Sequence, residues 1–273
     1  AIAKESGIAG MGGAAYPLHT KLSISLEAGV DTAILNGAEC EPYLTSDHRM
    51  MLEHPEKVTF GLEVIMKYLG LNNGYIAVED NKEDAISSLK ESLKDNNRIN
   101  VASRKTKFPQ GDSYRLVNAV TGRVVPQGGR TKDVQSFVTN VCTSAALAEA
   151  ILDGKPLYER VVTVTGNGVK EPKNLLVKIG TSIGDLIAQC GGFNGTPGKI
   201  IAGGPMTGYT QFTLDTPITK GVTGIIVLTE AEAEPEKITP CIKCGKCVEA
   251  CPAFLQPLTI SAYSLKDMYD QAD

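Results

Sequence analysis

The sequence is poor in several features that mark particular protein classes. Among its 273 residues there is no tryptophan, only three are histidine, and the formal net charge is -4. No uncharged apolar run approaches the ~18 residues of a membrane helix, so no transmembrane segment is predicted. The mildly acidic balance, with scattered basic residues, argues against nucleic-acid binding. The 42% hydrophobic content and the lack of low-complexity tracts exclude a disordered or fibrous chain.

Several catalytic and targeting patterns are missing as well. The three histidines, His19, His48 and His54, lack the spacing of a metal site, and no Ser/His/Asp or Cys/His grouping supports hydrolytic chemistry. The first residues show no signal-peptide pattern. The chain also begins without methionine, and we expect it to be a fragment of a longer protein.

Residues 1–158 alternate apolar runs with amphipathic ones. Strands are predicted at 31–35, 74–78, 100–102 and 136–141, and helices over 55–69, 84–93, 114–120 and 144–152. Repeated strand–helix units of this kind indicate an α/β domain with a parallel, Rossmann-like sheet.

The pattern changes in residues 159–230. Strands are predicted at 161–165, 175–179, 199–201 and 224–228, with a short helix over 181–191. This order indicates a small α+β domain of β-grasp type. The acidic stretch 230–236, EAEAEPE, is predicted to be a linker. Residues 231–273 then comprise linker, a cysteine cluster and a short helical tail, predicted as a partial, ferredoxin-like or helical iron–sulfur domain.

The cysteine cluster carries the strongest local signal. Four of the seven cysteines, Cys241, Cys244, Cys247 and Cys251, lie within eleven residues, with Pro252 after the last. This spacing is the bacterial ferredoxin pattern for a [4Fe–4S] cluster. Zinc is the second interpretation, although zinc sites more often use Cys-x-x-Cys pairs separated by a longer loop. Buried or disulfide-bonded cysteines are the purely structural alternative.

The fourth cysteine raises a question of ligand count. In two-cluster ferredoxins the fourth cysteine of such a run binds the other cluster. Either one cluster takes all four cysteines, or a second cysteine run follows in a longer parent protein; the second interpretation is favoured here.

The glycine-rich segment 10–17, GMGGAAYP, is the second signal. Closely spaced glycines allow backbone N–H groups to turn toward a phosphate without obstruction by Cβ atoms. A glycine turn that only packs two elements together would have the same sequence. The segment also lacks the G-x-G-x-x-G spacing after a strand, so it is not a standard dinucleotide fingerprint.

Polar residues follow the first predicted strand, in the segment 36–42, NGAECEP. Ligands of parallel sheets bind at the carboxyl ends of strands, so Glu39 and Glu41 are candidates to contact ribose hydroxyls or an amide. A solvated turn that ends at Pro42 is the alternative. In the segment 108–113, FPQGDS, Asp112 or Ser113 is a candidate helix cap.

Together these segments resemble the RnfC family, the C subunits of the Rnf-type electron transport complex. The resemblance spans nearly the whole chain and includes the following segments: GMGGAAYP, LNGAECEPYLTSDHRMM, KFPQGDSYRLVNAVTGRVVP, NVCTSAAL, KPLYERVVTVTG, IAGGPMTG and CIKCGKCVEACP. More distantly, the chain is similar to the flavin subunit of respiratory complex I. The family also has an additional N-terminal domain and a second cysteine run, which this sequence lacks.

The resemblance implies a Rossmann-like FMN domain, a β-grasp domain of SLBB type and an iron–sulfur segment. It implies the cofactors FMN, NAD(H) and [4Fe–4S], with two clusters in a full-length protein. No side chain is assigned as a catalytic acid or base. The implied cofactor-binding residues are Gly10, Gly12, Gly13, Ala14, Tyr16, Lys21, Asn36, Glu39, Glu41, Asp112, Asn140 and Thr143. The implied cluster ligands are the four clustered cysteines.

The implied function is electron transfer between NAD(H), FMN and iron–sulfur clusters, as in a ferredoxin:NAD oxidoreductase. Its partners would be other electron-transfer subunits or a reductase, either in the cytoplasm or in a peripheral complex on the cytoplasmic side of a membrane. Some relatives serve proline reductase or reduce cobalamin, so a soluble electron carrier is an alternative interpretation. A docking scaffold that retains the fold without the activity is a further alternative. Tyr16 in place of Phe, and Asp112 in place of Glu, depart from the pattern of the complex I relative.

Overall fold

The computed structural model describes residues 1–235 and 237–273. The chain divides into two compact units, Ala1–Glu234 and Pro235–Asp273. Glu236, the last residue of the predicted linker, lies outside the described residues. Within the first unit, each of two sheets has its own helices. The predicted boundary between residues 158 and 159 falls between these two sheets, inside the unit.

The first sheet contains four parallel strands in the order β3-β2-β1-β4. It is built from β1 (Thr32–Gly37), β2 (Gly74–Glu79), β3 (Ile99–Arg104) and β4 (Ser136–Asn140). Its helices are α1 (Ile2–Glu5), α2 (Leu18–Glu27), α3 (Ser46–Glu53), α4 (Pro55–Leu69), α5 (Glu83–Ser92), α6 (Ser113–Thr121) and α7 (Val141–Leu152), with a 3₁₀ turn at Thr131–Val134.

Both faces of this sheet are covered, which explains the continuous apolar character of β1. Leu35 packs into the main core with the helices α4 and α7, whereas its neighbour Ile34 packs on the opposite face against Leu116 and Val117 of α6. Parallel sheets are buried on both sides in this way. The predicted α/β class with a parallel sheet is confirmed.

The second sheet contains five strands in the order β6-β5-β9-β7-β8. Its elements are β5 (Glu159–Thr165), β6 (Lys173–Lys178), α8 (Ile183–Gln189), β7 (Pro197–Ala202), β8 (Tyr209–Thr210), β9 (Gly224–Thr229) and α9 (Glu230–Ala233). The strands β5 and β9 are parallel and the other neighbours antiparallel. Val162, Val164 and Val227 pack with Ile183 and Leu186 of α8 into a separate core. A small mixed sheet with one helix packed on it was the predicted β-grasp arrangement.

The second unit contains short helices, α10 (Lys246–Ala250), α11 (Pro257–Ser264) and α12 (Tyr269–Ala272). They account for the predicted helical tail. Within the part of the chain that the structure describes, no helix combines the length and the apolar character needed to cross a membrane.

The sequence missed or misplaced several elements for identifiable reasons. The helix α4 was predicted with both ends correct, because Pro55 occupies its first turn and Gly70 ends it at a φ of 71°. The helices α1, α2 and α3 were not predicted, and in α3 the polar residues Ser46 and Asp47 are buried, which obscures its apolar face in the sequence. The predicted linker starts too early, since Thr229 caps a helical turn, α9, that packs on β7.

Candidate functional site

The candidate site lies between β1 and β4, where the order in which strands are added to the first sheet changes direction. The strands β1 and β4 are adjacent and parallel, and Asn36 at the end of β1 pairs in register with Asn140 at the end of β4. From β1 the chain continues through β2 and β3 on one side and returns to β4 on the other. Open α/β sheets bind ligands at such switch points, outside the carboxyl ends of the strands.

A cleft of about 130 Å³ is present at this position. Three further segments converge on it: the glycine-rich loop, the start of α2, and the segment that leads into α6. Eight residues predicted from the sequence line the cleft, namely Gly10, Gly12, Ala14, Tyr16, Lys21, Asn36, Asn140 and Thr143. The sequence did not single out the remaining lining residues Leu18, Gly111, Val138 and Thr139, although Ser113 was considered as a helix cap.

The glycine-rich loop is closed on itself and tied to the helix α7. The Gly10 N–H donates to the Tyr16 carbonyl at 2.8 Å, and the Met11 N–H donates to Thr143 Oγ1 at 2.9 Å. Between these ties, Gly13 has a φ of 108°, a conformation that favours glycine. The loop therefore presents backbone atoms, rather than side chains, at Gly12 and Gly13.

The amino terminus of α7 also faces the cleft. Asn140 caps this helix, because its Oδ1 accepts from the N–H groups of Cys142 and Thr143 at 2.9 and 3.4 Å. Its Nδ2 donates to Asp47 Oδ2 at 2.6 Å, which fixes the orientation of the amide. The positive end of a twelve-residue helix beside a glycine loop attracts an anion such as a phosphate.

Lys21 supplies a cation to the same cleft. It lies in α2, half-buried, with its Nζ 5.8 Å from the centre of the Phe137 ring. Burial lowers the pKa of Lys21. Among the described residues no carboxylate forms an ion pair with it, so an anionic ligand would provide its counter-charge.

Asn36 joins the cleft to the segment before α6. Its Nδ2 donates to the Gly111 carbonyl at 2.8 Å, and its Oδ1 accepts from the Ala38 N–H at 3.1 Å. The residue after Gly111, Asp112, caps α6 by accepting from the N–H groups of Tyr114 and Arg115. The capping role predicted for Asp112 is confirmed, and its contact with a nucleotide stays a prediction.

The Glu39 side chain is directed toward α3 rather than into the cleft. Its Oε1 accepts from the Asp47 N–H at 2.8 Å, and its Oε2 accepts from the His48 N–H at 3.1 Å. Lys82 Nζ lies 3.7 Å from the same carboxylate. Burial, reinforced by the charge of Asp47, raises the pKa of Glu39 to about 7 despite the nearby Lys82.

Glu41 is hydrogen-bonded to the second sheet. Its carboxylate accepts from the Met206 N–H at 3.0 Å and from the Thr207 hydroxyl, both in the turn between β7 and β8. Glu39 and Glu41 therefore have protein partners, and neither belongs to the cleft lining. Their predicted contacts with a nucleotide remain untested predictions.

Glu39 should make stability depend on pH near neutrality. Its pKa is about 7 in the folded chain, against 4.5 for an ordinary glutamate. Between pH 4.5 and 7 the folded state therefore binds more protons than the unfolded state. Protonated Glu39 makes its full contribution to the unfolding free energy below pH 4.5, and this contribution is lost as the pH rises through 7. The expected loss is about 3 kcal/mol.

Urea unfolding at pH 5 and pH 8 measures this dependence. In Glu39→Gln, we expect the difference in unfolding free energy between the two pH values to shrink. The control Glu83→Gln, at an exposed position in the first turn of α5, should retain the wild-type difference. An unchanged difference in Glu39→Gln would contradict the prediction.

Two buried charged residues near the site were not predicted from the sequence. Asp47 accepts from Asn140 and from the Cys142 thiol, whose Sγ is 3.0 Å from Oδ1, and burial raises its pKa. Arg160, at 2% exposure, donates from Nη2 to the Met11 carbonyl at 3.1 Å. Asp47 lies within the segment LNGAECEPYLTSDHRMM and Arg160 within KPLYERVVTVTG, but no local signal marks either residue for a role at the site.

Two family models match the chain. A family model described as the Nuo51 FMN-binding domain matches residues 3–149, more than half of the chain. The chain belongs to the family of the Nuo51 FMN-binding domain. A model of the SLBB domain matches residues 161–210, in the second sheet. The first model covers all four strands of the first sheet, and the second begins within β5 and ends before β9.

Curated relatives of this family member are the C subunits of ion-translocating complexes. The C subunit of the Na(+)-translocating ferredoxin:NAD(+) oxidoreductase complex of Acetobacterium woodii is 47% identical over 98% of this chain and 60% of its own length. The proton-translocating counterpart of Clostridium ljungdahlii is 47% identical over 99% of this chain and 59% of its own. The predicted resemblance to the RnfC family is confirmed. The chain spans about 60% of the length of these relatives.

Solved structures show the same fold. The NAD+-reducing [NiFe]-hydrogenase matches with a TM-score of 0.68 in its H2-reduced state and 0.69 in its air-oxidized state. The matches have 18% identity and cover 84% of this chain and 46% of that chain. At this identity the likeness concerns the fold alone.

The four clustered cysteines of this family member lie in the second unit. Cys241, Cys244 and Cys247 are exposed and Cys251 is half-buried, and all four are free thiols. The Lys243 N–H donates to Cys241 Sγ at 3.4 Å, and Gly245 has a φ of 78°. The donor chemistry fits an iron–sulfur cluster, but no three His, Cys, Asp or Glu side chains in residues 1–235 and 237–273 are arranged as a metal site.

Proposed function

We propose that this chain is the flavin-binding part of an electron-transfer subunit that operates between NAD(H), FMN and [4Fe–4S] clusters, as in an Rnf-type ferredoxin:NAD oxidoreductase. The observation that carries the proposal is the cleft between β1 and β4. It gathers a glycine loop, a helix amino terminus and a half-buried lysine, which are donors suited to one anionic cofactor. The names of the Acetobacterium and Clostridium relatives support the proposed reaction class.

The residues of the cleft suit FMN in three respects. The backbone at Gly12 and the amino terminus of α7 would hold its phosphate. Lys21 would place a positive charge beside the flavin ring, and Asn36 would contribute an amide at the same edge. Tyr16, at 47% exposure on the rim, offers an aromatic face for stacking.

Bound FMN would supply the chemistry that exchanges a hydride with NAD(H) for single electrons. The protein would bind and orient the ring, and the Lys21 charge would favour the anionic reduced form. Glu39, Glu41 and Asp112 are proposed to border the nicotinamide side. The position of their segments next to Asn36 and Gly111 supports this assignment. No side chain is proposed as a general acid or base.

We further propose that Cys241, Cys244, Cys247 and Cys251 are ligands of [4Fe–4S] clusters, and that Cys251 belongs to a second cluster in the whole protein. The other subunits of such a complex, or a soluble reductase, would be the partners. The proposed location is cytoplasmic or peripheral on the cytoplasmic face of a membrane. Electron transfer to a soluble amino-acid reductase is the alternative use of the same site.

The test of the proposal is anaerobic titration of the chain with FMN, followed by NADH. Fluorescence quenching should show one FMN per chain, and NADH should bleach the bound flavin. FMN binding without bleaching would leave a flavoprotein that does not use NADH. If no FMN binds, the docking-scaffold alternative gains and the proposal is wrong.

Replacing Cys244 with serine tests the cluster separately. After anaerobic reconstitution with iron and sulfide, we expect the variant to lose the iron content and the absorption of the cluster, because a cysteine thiolate ligand is removed. FMN binding should be unchanged. The control Cys190→Ala, in the core of the second sheet, should retain its iron. A zinc content of one per chain, without iron or sulfide, would favour the zinc interpretation.

A further inference from the structure

The second sheet contacts the back of the glycine-rich loop, residues 10–16, and the segment before it. Arg160 donates to the Met11 carbonyl at 3.1 Å, and Lys220 Nζ donates to the Gly7 carbonyl at 2.7 Å. Gly221 packs so closely that a Cβ at this position would lie 2.6 Å from the Gly13 carbonyl oxygen. These residues belong to β5 and to the segment before β9. The proposed flavin loop therefore rests on the neighbouring sheet.

Arg160 is the buried centre of this contact. Besides Met11, its guanidinium donates to the Lys220 carbonyl through Nη1 and to the Val161 carbonyl through Nε at 3.2 Å. Buried Asp47 attracts it electrostatically. A single side chain thus links backbone groups of the second sheet to the glycine loop.

Both backbone polar groups of Met11 are hydrogen-bonded. Its N–H donates to Thr143 of α7, and its carbonyl accepts from Arg160. Met11 directly precedes Gly12, which lines the cleft, so these two hydrogen bonds fix the direction in which the backbone enters the cleft. Arg160 itself does not belong to the cleft lining.

Burying a guanidinium costs free energy that an apolar side chain would avoid. If the space only had to be filled, an unbranched apolar residue would suffice. The three backbone acceptors around Arg160 instead use its several donors in one fixed geometry. The arrangement fits a residue that sets the position of a backbone segment.

We propose that Arg160 is a positioning residue for the glycine loop, through which the second sheet sets the affinity of the cleft for the phosphate end of FMN. The inference rests on the proposed function for the identity of the ligand. The positioning of the loop by Arg160 is independent of the proposed function, because Arg160 donates to Met11 without any cofactor.

The test compares FMN and riboflavin binding in Arg160→Met, Arg160→Lys and a control, Arg123→Met. Arg123 donates to both carboxylate oxygens of Asp31, at 2.6 and 2.8 Å, at the amino-terminal end of β1, away from the cleft. We expect Arg160→Met to bind FMN about tenfold more weakly while its riboflavin affinity changes less than threefold. Arg160→Lys keeps the charge without the planar set of donors and should recover little of the loss, and Arg123→Met should match the wild type.

A second variant covers the case in which Arg160→Met does not fold. Gly221→Ala removes no hydrogen bond but displaces the Gly13 carbonyl, and it should also weaken FMN binding more than riboflavin binding. Hydrogen exchange at the amides of residues 11–14, measured without ligand, should be faster in both variants than in Arg123→Met.

The outcomes separate the two claims. If the wild type binds no FMN, the proposed function is wrong, and hydrogen exchange alone decides the role of Arg160. If Arg160→Met and Gly221→Ala leave both the FMN-to-riboflavin ratio and the loop exchange at wild-type values, the positioning role is overturned. Equal losses for FMN and riboflavin in folded Arg160→Met would also overturn it.

Discussion

Gly13→Val is expected to weaken FMN binding at least ~100-fold, which corresponds to about 2.7 kcal/mol. Gly13 has a φ of 108°, and nothing lies within 4 Å of a Cβ built on it. Crowding is therefore not the cause of the expected loss. A β-branched residue strains strongly at this φ, so the loop would change its path and withdraw the adjacent backbone at Gly12 from the site proposed for the phosphate.

Gly180→Val is a matched control for this substitution. Gly180 has a φ of 99°, an added Cβ likewise meets nothing within 4 Å, and the residue lies between β6 and α8. Both variants should lose similar unfolding free energy, but only Gly13→Val should lose FMN. Fluorescence titration and urea unfolding measure the two quantities. If folded Gly13→Val binds FMN within threefold of the wild type, the loop is only a packing turn.

Lys21→Met is expected to weaken FMN binding by about 30-fold and to stabilise the cofactor-free chain. A hydrogen bond between a charged donor and an anion contributes about 2 kcal/mol, the equivalent of that factor. Without a ligand, burial removes hydration from the ammonium and lowers its pKa, and the contact with the Phe137 ring, 5.8 Å from Nζ, offsets this loss only in part. Methionine fills nearly the same space without a charge.

The pH dependence follows from the same cause. Because the pKa of Lys21 is lower in the folded chain, the unfolded state binds more protons. The cost of burying the charged ammonium therefore lowers the unfolding free energy fully below the folded-state pKa, and this cost fades as the pH rises toward 10.5. Lys21→Met should therefore raise the unfolding free energy at pH 7 more than at pH 10.

The controls for Lys21→Met separate charge from position. Lys21→Arg should retain most of the FMN affinity, and Lys94→Met, at an exposed ion pair with Glu91, should leave it unchanged. Titration at pH 7 measures affinity, and urea unfolding without FMN measures stability. A Lys21→Met variant that binds FMN as tightly as the wild type would remove Lys21 from the proposed site.

Local sequence features determined most of the secondary structure and the position of the cleft. The apolar run at Ile34 and Leu35 and the Pro55 and Gly70 signals around α4 act over a few residues, so the sequence was sufficient to locate those elements. Asn140 caps the helix that directly follows it, which also makes its place at the cleft a local matter. Helices α1, α2 and α3 were exceptions, and in α3 the buried Asp47 breaks the usual relation between polarity and exposure.

The sequence did not show which of the polar residues after β1 face the cleft. Within the segment 36–42, Asn36 faces the cleft, whereas Glu39 and Glu41 bind α3 and the second sheet. The partner of Glu41 at Met206 is 165 residues away along the chain. No local pattern shows which protein groups these two carboxylates bind, and their predicted contacts with a nucleotide remain predictions.

The sequence by itself determined the family, the two sheet types and the glycine loop, because each depends on short-range spacing and on the order of motifs. Only the tertiary structure decided which donors share one cleft and that Arg160 holds the loop from behind. The physical reason is that buried polar groups are satisfied by whatever the fold brings to them. In the sequence Arg160 is one more charged residue beside a strand, and its role emerges only when the carbonyls of Met11 and Lys220 are placed around it.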